Sequence, residues 1–170
     1  PEDRTLIGNP TPKVTYGFSL GVDYRNWSLA VDMMGQGGNR IFRTWDNYNF
    51  AQFNYLEQRM NRWHGEGTSN SQPLLNAKHS INTLNSEYYI ENGKFFRIRN
   101  VQLAYSFDKS LLAKIRLQAL KVYVNIQNLK PWKHNTGYTP ELGGSATAFG
   151  VDNGSYPVPA VYTFGINLTF

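Results

Sequence analysis

Three histidines, His64, His79 and His134, stand at no ligand spacing, and no Ser/His/Asp set or catalytic pair of carboxylates accompanies them. Each reads as a loop residue. With no cysteine in the chain, a thiolate metal site and a disulfide framework are excluded. Asp23 and Asp32 fall on one polar face by parity. If the strands around Arg25-Asn26 pair with residue numbers summing near 51, the two carboxylates lie about a diagonal apart. That leaves a cation site or a plain polar wall. The chain is therefore read as no enzyme, with no cofactor and no metal. What remains is a set of large rings: Trp45, Tyr48, Phe50, Tyr55, Trp63, Trp132 and Tyr138. Flat amphipathic rings stack on sugars or grip a peptide, and they also pack loop against loop. The chemistry on offer is contact, not bond making.

The segments that must position those rings show a period of two. From Val14 to Tyr24 the even positions are Val, Tyr, Phe, Leu, Val and Tyr, and the odd ones are Thr, Gly, Ser, Gly and Asp. That pattern makes a strand with one apolar face. After Arg25-Asn26 the apolar parity switches to Trp27, Leu29, Val31 and Met33, as a two-residue hairpin turn requires. Val101, Leu103, Tyr105 and Phe107 alternate with polar or small residues, as do Leu120, Val122, Val124 and Ile126. The segment Asp108 to Lys114 joins those two. A fifth strand carries Tyr162, Phe164, Ile166, Leu168 and Phe170 on one face.

Aromatic residues make up 15% of a chain whose net charge is +5. The bases are scattered and form no basic helix or zinc-finger spacing, so no nucleic acid is expected as a partner. No run is long and apolar enough for a membrane-spanning helix, and no signal peptide is visible. The connections alternate between short ones and long ones of 58 residues (Gln36 to Gly93) and 29 residues (Lys130 to Val158). Outer-membrane barrels have that rhythm, with short periplasmic turns and long extracellular loops. The polar faces are rich in Gly, Ser, Thr and Asn and poor in Lys and Glu, unlike a solvated sheet. Tyr16 to Tyr24 and Tyr162 to Phe170 are each eight residues apart. At ~3.3 Å per residue and ~40° tilt this spans roughly 20 Å, close to the ~25 Å apolar band of a transmembrane barrel. In the first long loop Phe53, Leu56, Met60 and Trp63 have helical spacing, with Glu57, Arg59 and Arg62 elsewhere on the wheel and Gly65 as a stop. They predict a short amphipathic helix.

The stretches LIGNPTPKVTYGFSLGVDYRNWSLAVDMMGQGGNRIF (6–42), EYYIENGKFFRIRNVQLAYSF (87–107), LKVYVNIQNL (120–129) and GVDNGSYPVPAVYTFGINLTF (150–170) together resemble the C-terminal end of SusC/RagA-type TonB-dependent transporters of Bacteroidetes. The resemblance spans nearly the whole chain and is weakest at 70–86. It implies an all-β fold, the last five antiparallel strands of an about 22-stranded transmembrane barrel in the bacterial outer membrane. Residues 1–170 would then be a fragment, with the plug and earlier strands absent. The implied function is active import of oligomeric nutrients, glycan oligosaccharides first and oligopeptides of the RagA type as the alternative. A passive porin or an outer-membrane enzyme barrel without energy coupling is the second alternative. The implied partners are a SusD-like lipoprotein lid, TonB through the missing N-terminal part, outer-membrane lipid and lipopolysaccharide, and the barrel assembly machinery. Tyr162, Phe164, Ile166, Leu168 and Phe170 resemble the terminal signal which that machinery reads, and Phe170 equally suits an inner aromatic girdle.

Arg97 and Arg99 share the parity of Val101 and Leu103. An unbroken strand aims both guanidiniums at lipid, at the outer rim, where lipopolysaccharide phosphates match arginine's forked donors. A bulge near Phe95-Phe96 would instead swing one or both toward the lumen or the loops. Both placements stay open at this stage.

Overall fold

The computed structural model describes residues 4–46, 56–75 and 84–170. In chain order its strands are β1 (Val14–Tyr24), β2 (Trp27–Gly37), β3 (Arg40–Arg43), β4 (Ile90–Asn92), β5 (Phe95–Ser106), β6 (Ala119–Gln127), β7 (Trp132–Lys133), β8 (Val151–Asp152) and β9 (Val161–Thr169). The long strands β1, β2, β5, β6 and β9 lie side by side in that order as one antiparallel sheet. The short strand β7 adds to the far end of β5, and β4, β3 and β8 form a separate three-stranded sheet from the long loops.

Register follows from alternation. Tyr24 pairs with Trp27, Val22 with Leu29 and Leu20 with Val31, so every large apolar side chain of the hairpin faces one way. The same face continues through Leu103, Val124 and Phe164. It is open: Phe18, Tyr24, Tyr162 and Phe164 are each at least 60% exposed. A contiguous apolar face of this size is out of place against water and suited to hydrocarbon. The opposite face carries Ser19, Asp32, Asn100, Gln102, Asn125 and Gln127, with Ser19 donating to Asp32 at 2.7 Å.

Aromatic rings mark both ends of the apolar face. At the end with the short turns, Trp27 and Tyr105 have ring centroids 4.9 Å apart, and Tyr105 meets Phe107 edge-on at 5.0 Å. At the loop end the paired row runs Tyr16, Gly35, Phe96, Trp132, and Phe96 and Trp132 lie 5.6 Å apart.

The sequence-based register fails at one place. β2 pairs Asp32 with Asn100 but Met33 with Ile98, so Arg99 is an extra residue in β5. The bulge reverses the parity of everything before it. Ile98 and Phe96 join the apolar face, while Arg97 and Phe95 turn to the polar face and are buried, 3% and 1% exposed. The long loops also hold more order than alternation reveals. In the first of them a 3-10 helix spans Glu57–Asn61, but it buries Arg59 and leaves Met60 74% exposed. Position 53 of the expected helix lies outside the described residues.

Two glycines fill a packing need. The ring of Tyr16 lies where a side chain at Gly35 would sit, and the ring of Tyr123 covers Gly165 in the same way on the other face. Both are directly paired across strands. Gly21, by contrast, has open space around it. Gly165→Ala and Gly35→Ala in the full-length protein are expected to cost ~1–3 kcal/mol by overpacking, and Gly21→Ala close to nothing. Urea unfolding in lipid vesicles, read by heat-modifiable gel migration, checks the difference; equal midpoints for all three would exclude ring-over-glycine packing.

A buried charge lattice beneath the loops

The loop sheet sits beyond the end of the main strands where Phe95 and Arg97 turn inward. Its centre is Arg43, the last residue of β3. Arg43 Nε donates to Asp46 Oδ1 at 2.8 Å and Arg43 Nη1 to Glu91 Oε1 at 2.9 Å. Arg59, from the 3-10 helix, reaches Asp46 Oδ2 at 3.5 Å and donates to the hydroxyl of Tyr88 at 3.2 Å. Tyr88 in turn donates to Gln72. The Arg43 guanidinium also lies 5.4 Å from the ring of Tyr88 and 5.8 Å from those of Trp45 and Tyr89. Burial opposes the charge on Arg43, but Asp46 and Glu91 outweigh it, so its pKa lies above the usual arginine value. Burial likewise raises Tyr89, against the pull of Arg59.

The last long loop joins this lattice at two points. Glu91 accepts from the Thr136 hydroxyl at 2.6 Å and from its N–H at 3.0 Å. Asp152, fully buried in β8, accepts from the N–H groups of Gly154 and Ser155, while its carbonyl accepts from Thr44. Between them Lys133 Nζ donates to the carbonyls of Asn135 and Gly137, both at 2.6 Å. Burial lowers the pKa of Lys133, which Glu91 and Asp152 partly offset.

Arg97 ties the loop to the barrel wall. Its Nη1 lies 3.3 Å from Glu141 Oε2. This corrects the lipid-phosphate expectation: Arg97 is buried on the polar face and paired with a loop carboxylate. Arg99 does not point to lipid either. It borders two clefts on the polar side. One, of about 360 Å³, is shared with Gln36, Asn39, Phe95 and Glu141; the other, of about 600 Å³, with Ser19, Asp32, Asn100 and Gln127.

The remaining candidates separate. Trp63 and Tyr138 are exposed on the loops, 42% and 71%. Trp45 packs against Arg43 inside the lattice. Trp132, paired with Phe96, belongs to the apolar face and its aromatic edge, not to the loop lattice. Tyr48, Tyr55, Phe50 and His79 lie outside the described residues. His64 and His134 are exposed loop residues, and His64 Nδ1 lies 3.0 Å from the carbonyl of Arg62. Asp23 pairs with Ser28 and Asp32 with Ser19, so the two aspartates share a face but sit four residues apart, not on a diagonal. At ~3.3 Å per residue that is roughly 13 Å, too far to share a cation. Among the described residues no three His, Cys, Asp or Glu side chains gather as metal ligands do. Phe164, Ile166 and Leu168 line the apolar face with Tyr162, and Phe170 is 82% exposed just beyond β9.

The residues that sequence reasoning missed are the lattice charges, Arg43, Asp46, Arg59, Glu91 and Asp152. No local spacing unites all five, since they come from four separate stretches of the long loops, around 43–46, 59, 91 and 152. Removing one charge strands the others. Arg43→Met in the full-length protein is expected to cost ~3–5 kcal/mol locally, because Glu91 stays buried without its cation and Asp46 keeps only Arg59, at 3.5 Å. Hydrogen exchange should quicken across 40–46 and 87–92 while β1, β6 and β9 stay protected. Unchanged protection in both segments would refute the central role of Arg43.

No family model matches the chain. TonB-dependent receptors P3 and P26 of Formosa agariphila are 29% and 27% identical to it, each over 99% of this chain. The chain spans only 17% and 18% of their lengths. Among solved structures, the RagAB peptide importer is similar in its open-open state (27% identity, TM-score 0.74, 94% of this chain and 17% of that chain). Its closed-closed state is also similar (27% identity, TM-score 0.77, 95% and 18%). In sequence and in fold the chain is thus similar to a β-barrel segment of SusC/RagA-type TonB-dependent receptors, and its place is the bacterial outer membrane.

Proposed function

We propose that this segment forms part of the wall and the loop mouth of a barrel that actively imports oligomeric nutrients, coupled to TonB and covered by a SusD-like surface lipoprotein. The observation that carries the reading is the division of the sheet. An apolar face fit for lipid backs onto a polar wall, and a charge-locked loop sheet stands at one end of it. The edges at β1 and β9 have open backbone groups, which lipid does not tolerate. Further strands therefore close the barrel in the proposed protein, where residues 1–170 are the C-terminal part.

Glycan oligosaccharides are the first cargo reading. The exposed rings of Trp63 and Tyr138 offer flat amphipathic surfaces to sugars. Oligopeptides are the second, favoured by the likeness to the RagAB peptide importer and by the mixed polarity of the cleft holding Arg99, Asn39 and Glu141. An uncoupled porin or enzyme barrel has no such observation behind it.

The test is uptake by cells expressing the full-length protein, fed defined pools of labelled glycan oligomers and peptides. Accumulation of one pool that stops when TonB is deleted is the expected result; entry independent of TonB would leave a passive pore. Trp63→Ala with Tyr138→Ala should lower glycan uptake roughly tenfold, from ~1–1.5 kcal/mol of lost ring contact, with barrel amount in the membrane unchanged. Unaltered glycan uptake in that variant would remove these rings from cargo binding.

A further inference from the structure

The connection between β5 and β6 is short, polar in its backbone needs and oddly greasy. It holds one helical turn, α1 (Lys109–Ala113), which follows Asp108. Leu112 points inward and is 1% exposed, and its carbonyl accepts from the N–H groups of Ile115 and Leu117, which closes the turn. One leucine is enough to seat so small an element. Yet Leu111 and Ile115, four residues apart, are left 52% and 61% exposed. Water gives no reason for two large aliphatic side chains at the tip of a turn.

Charge and position supply one. Lys109, Lys114 and Arg116 flank the two aliphatic residues, and Asp108 is the acid beside them. Asp108 is already engaged: it accepts from Asn26 Nδ2 at 2.9 Å, while Asn26's carbonyl accepts from the Ser106 N–H. Those bonds hold the β1–β2 turn against the β5–β6 connection. They bring in Arg25, whose guanidinium lies 5.3 Å from the ring of Tyr24 on the apolar face. The surface is continuous with the aromatic end of that face, since Phe107 donates its N–H to Leu120 and packs on Tyr105. A basic, amphipathic turn directly beyond an aromatic girdle has the makeup of an interfacial anchor.

We propose that the β5–β6 connection rests in the membrane interface at the short-turn end of the barrel. Leu111 and Ile115 enter the acyl boundary, and Lys109, Lys114, Arg116 and Arg25 hold anionic phospholipid headgroups. The partner is the headgroup of a lipid in the bilayer, phosphatidylglycerol being the probe. The anchor needs only the barrel, not the transport reading.

Depth decides it. Nitroxide labels are attached to the full-length protein in Leu111→Cys and Ile115→Cys, in vesicles containing phosphatidylglycerol. Ile166→Cys on the apolar face serves as the lipid reference and Asn70→Cys on a loop as the aqueous one. The expected result is that both turn labels collide freely with oxygen and poorly with a water-soluble nickel chelate, as at 166. Free collision with the chelate, as at 70, would overturn the anchor; so would shielding from both reagents, because protein would then cover the turn. The second arm counts phosphatidylglycerol retained in native mass spectra of Lys109→Gln, Lys114→Gln and Arg116→Gln combined. Retention should fall about fivefold per charge removed. Retention equal to the parent protein would overturn the headgroup contact.

Discussion

The extra residue at Arg99 is the constraint on which the upper part of this structure depends. A β-strand alternates without choice, so one unpaired residue exchanges the faces of every residue beyond it. Below the bulge, Val101, Leu103 and Tyr105 face the apolar side. Above it, Ile98 and Phe96 take that role, and Phe95 and Arg97 move inward as buried residues. Without the bulge two guanidiniums would face lipid at the outer rim, at ~0–1 kcal/mol each near the interface and more for any part drawn deeper. With it, one becomes the anchor of the last loop through Glu141. The bulge's free carbonyl is not wasted either: Arg99 O accepts from the N–H of Asn128, where the chain leaves β6 in a left-handed turn.

This residue also shows where sequence reading stops. Alternation located β1 and β6 almost to the residue, because both strands keep period two and end at turn residues such as Arg25 and Asn128. It could not place the bulge, expected near Phe95-Phe96 and found at Arg99, because the list of residue types is the same wherever the extra residue falls. Nor could it find the loop sheet. β3, β4 and β8 have only two to four residues each, too few for any period, and β8 pairs with β3 from over a hundred positions away. The amphipathic spacing around Met60 was real as a pattern, but tertiary charge overrode it. Arg59 is drawn inward by Asp46 and the Tyr88 hydroxyl, and Met60 is left outside. Among the candidate rings, Trp132 shows the same limit: its side is fixed by its pairing with Phe96, which lies beyond the bulge.

The loop lattice uses charge in the way least suited to raising stability and best suited to choosing partners. Burying Arg43 with Asp46 and Glu91 sacrifices hydration that Coulomb attraction barely restores, and a hydrophobic cluster of equal volume would be as stable. A hydrophobic cluster, however, would accept many arrangements of the two long loops. Forked donors accept few: Arg43 needs one carboxylate at Nε and another at Nη1, and those come from separate segments. Glu91 is then committed a second time, to Thr136 in the last loop. Each satisfied group narrows the choices of the next.

Such a lattice has mechanical consequences. Its ties to the wall include Arg97 with Glu141 and β7 laid along the end of β5. Displacing the 134–141 segment alone would uncover Glu91 and strand Arg97, two buried charges at once. Displacing it together with β3, β4 and β8 leaves the internal pairs intact and breaks only the ties to the wall. Packed, charge-satisfied assemblies move between discrete arrangements more readily than they deform. The pairing of charges across segments therefore favours displacement of the loops together over displacement of the last loop alone, since only the latter separates Glu91 from Thr136.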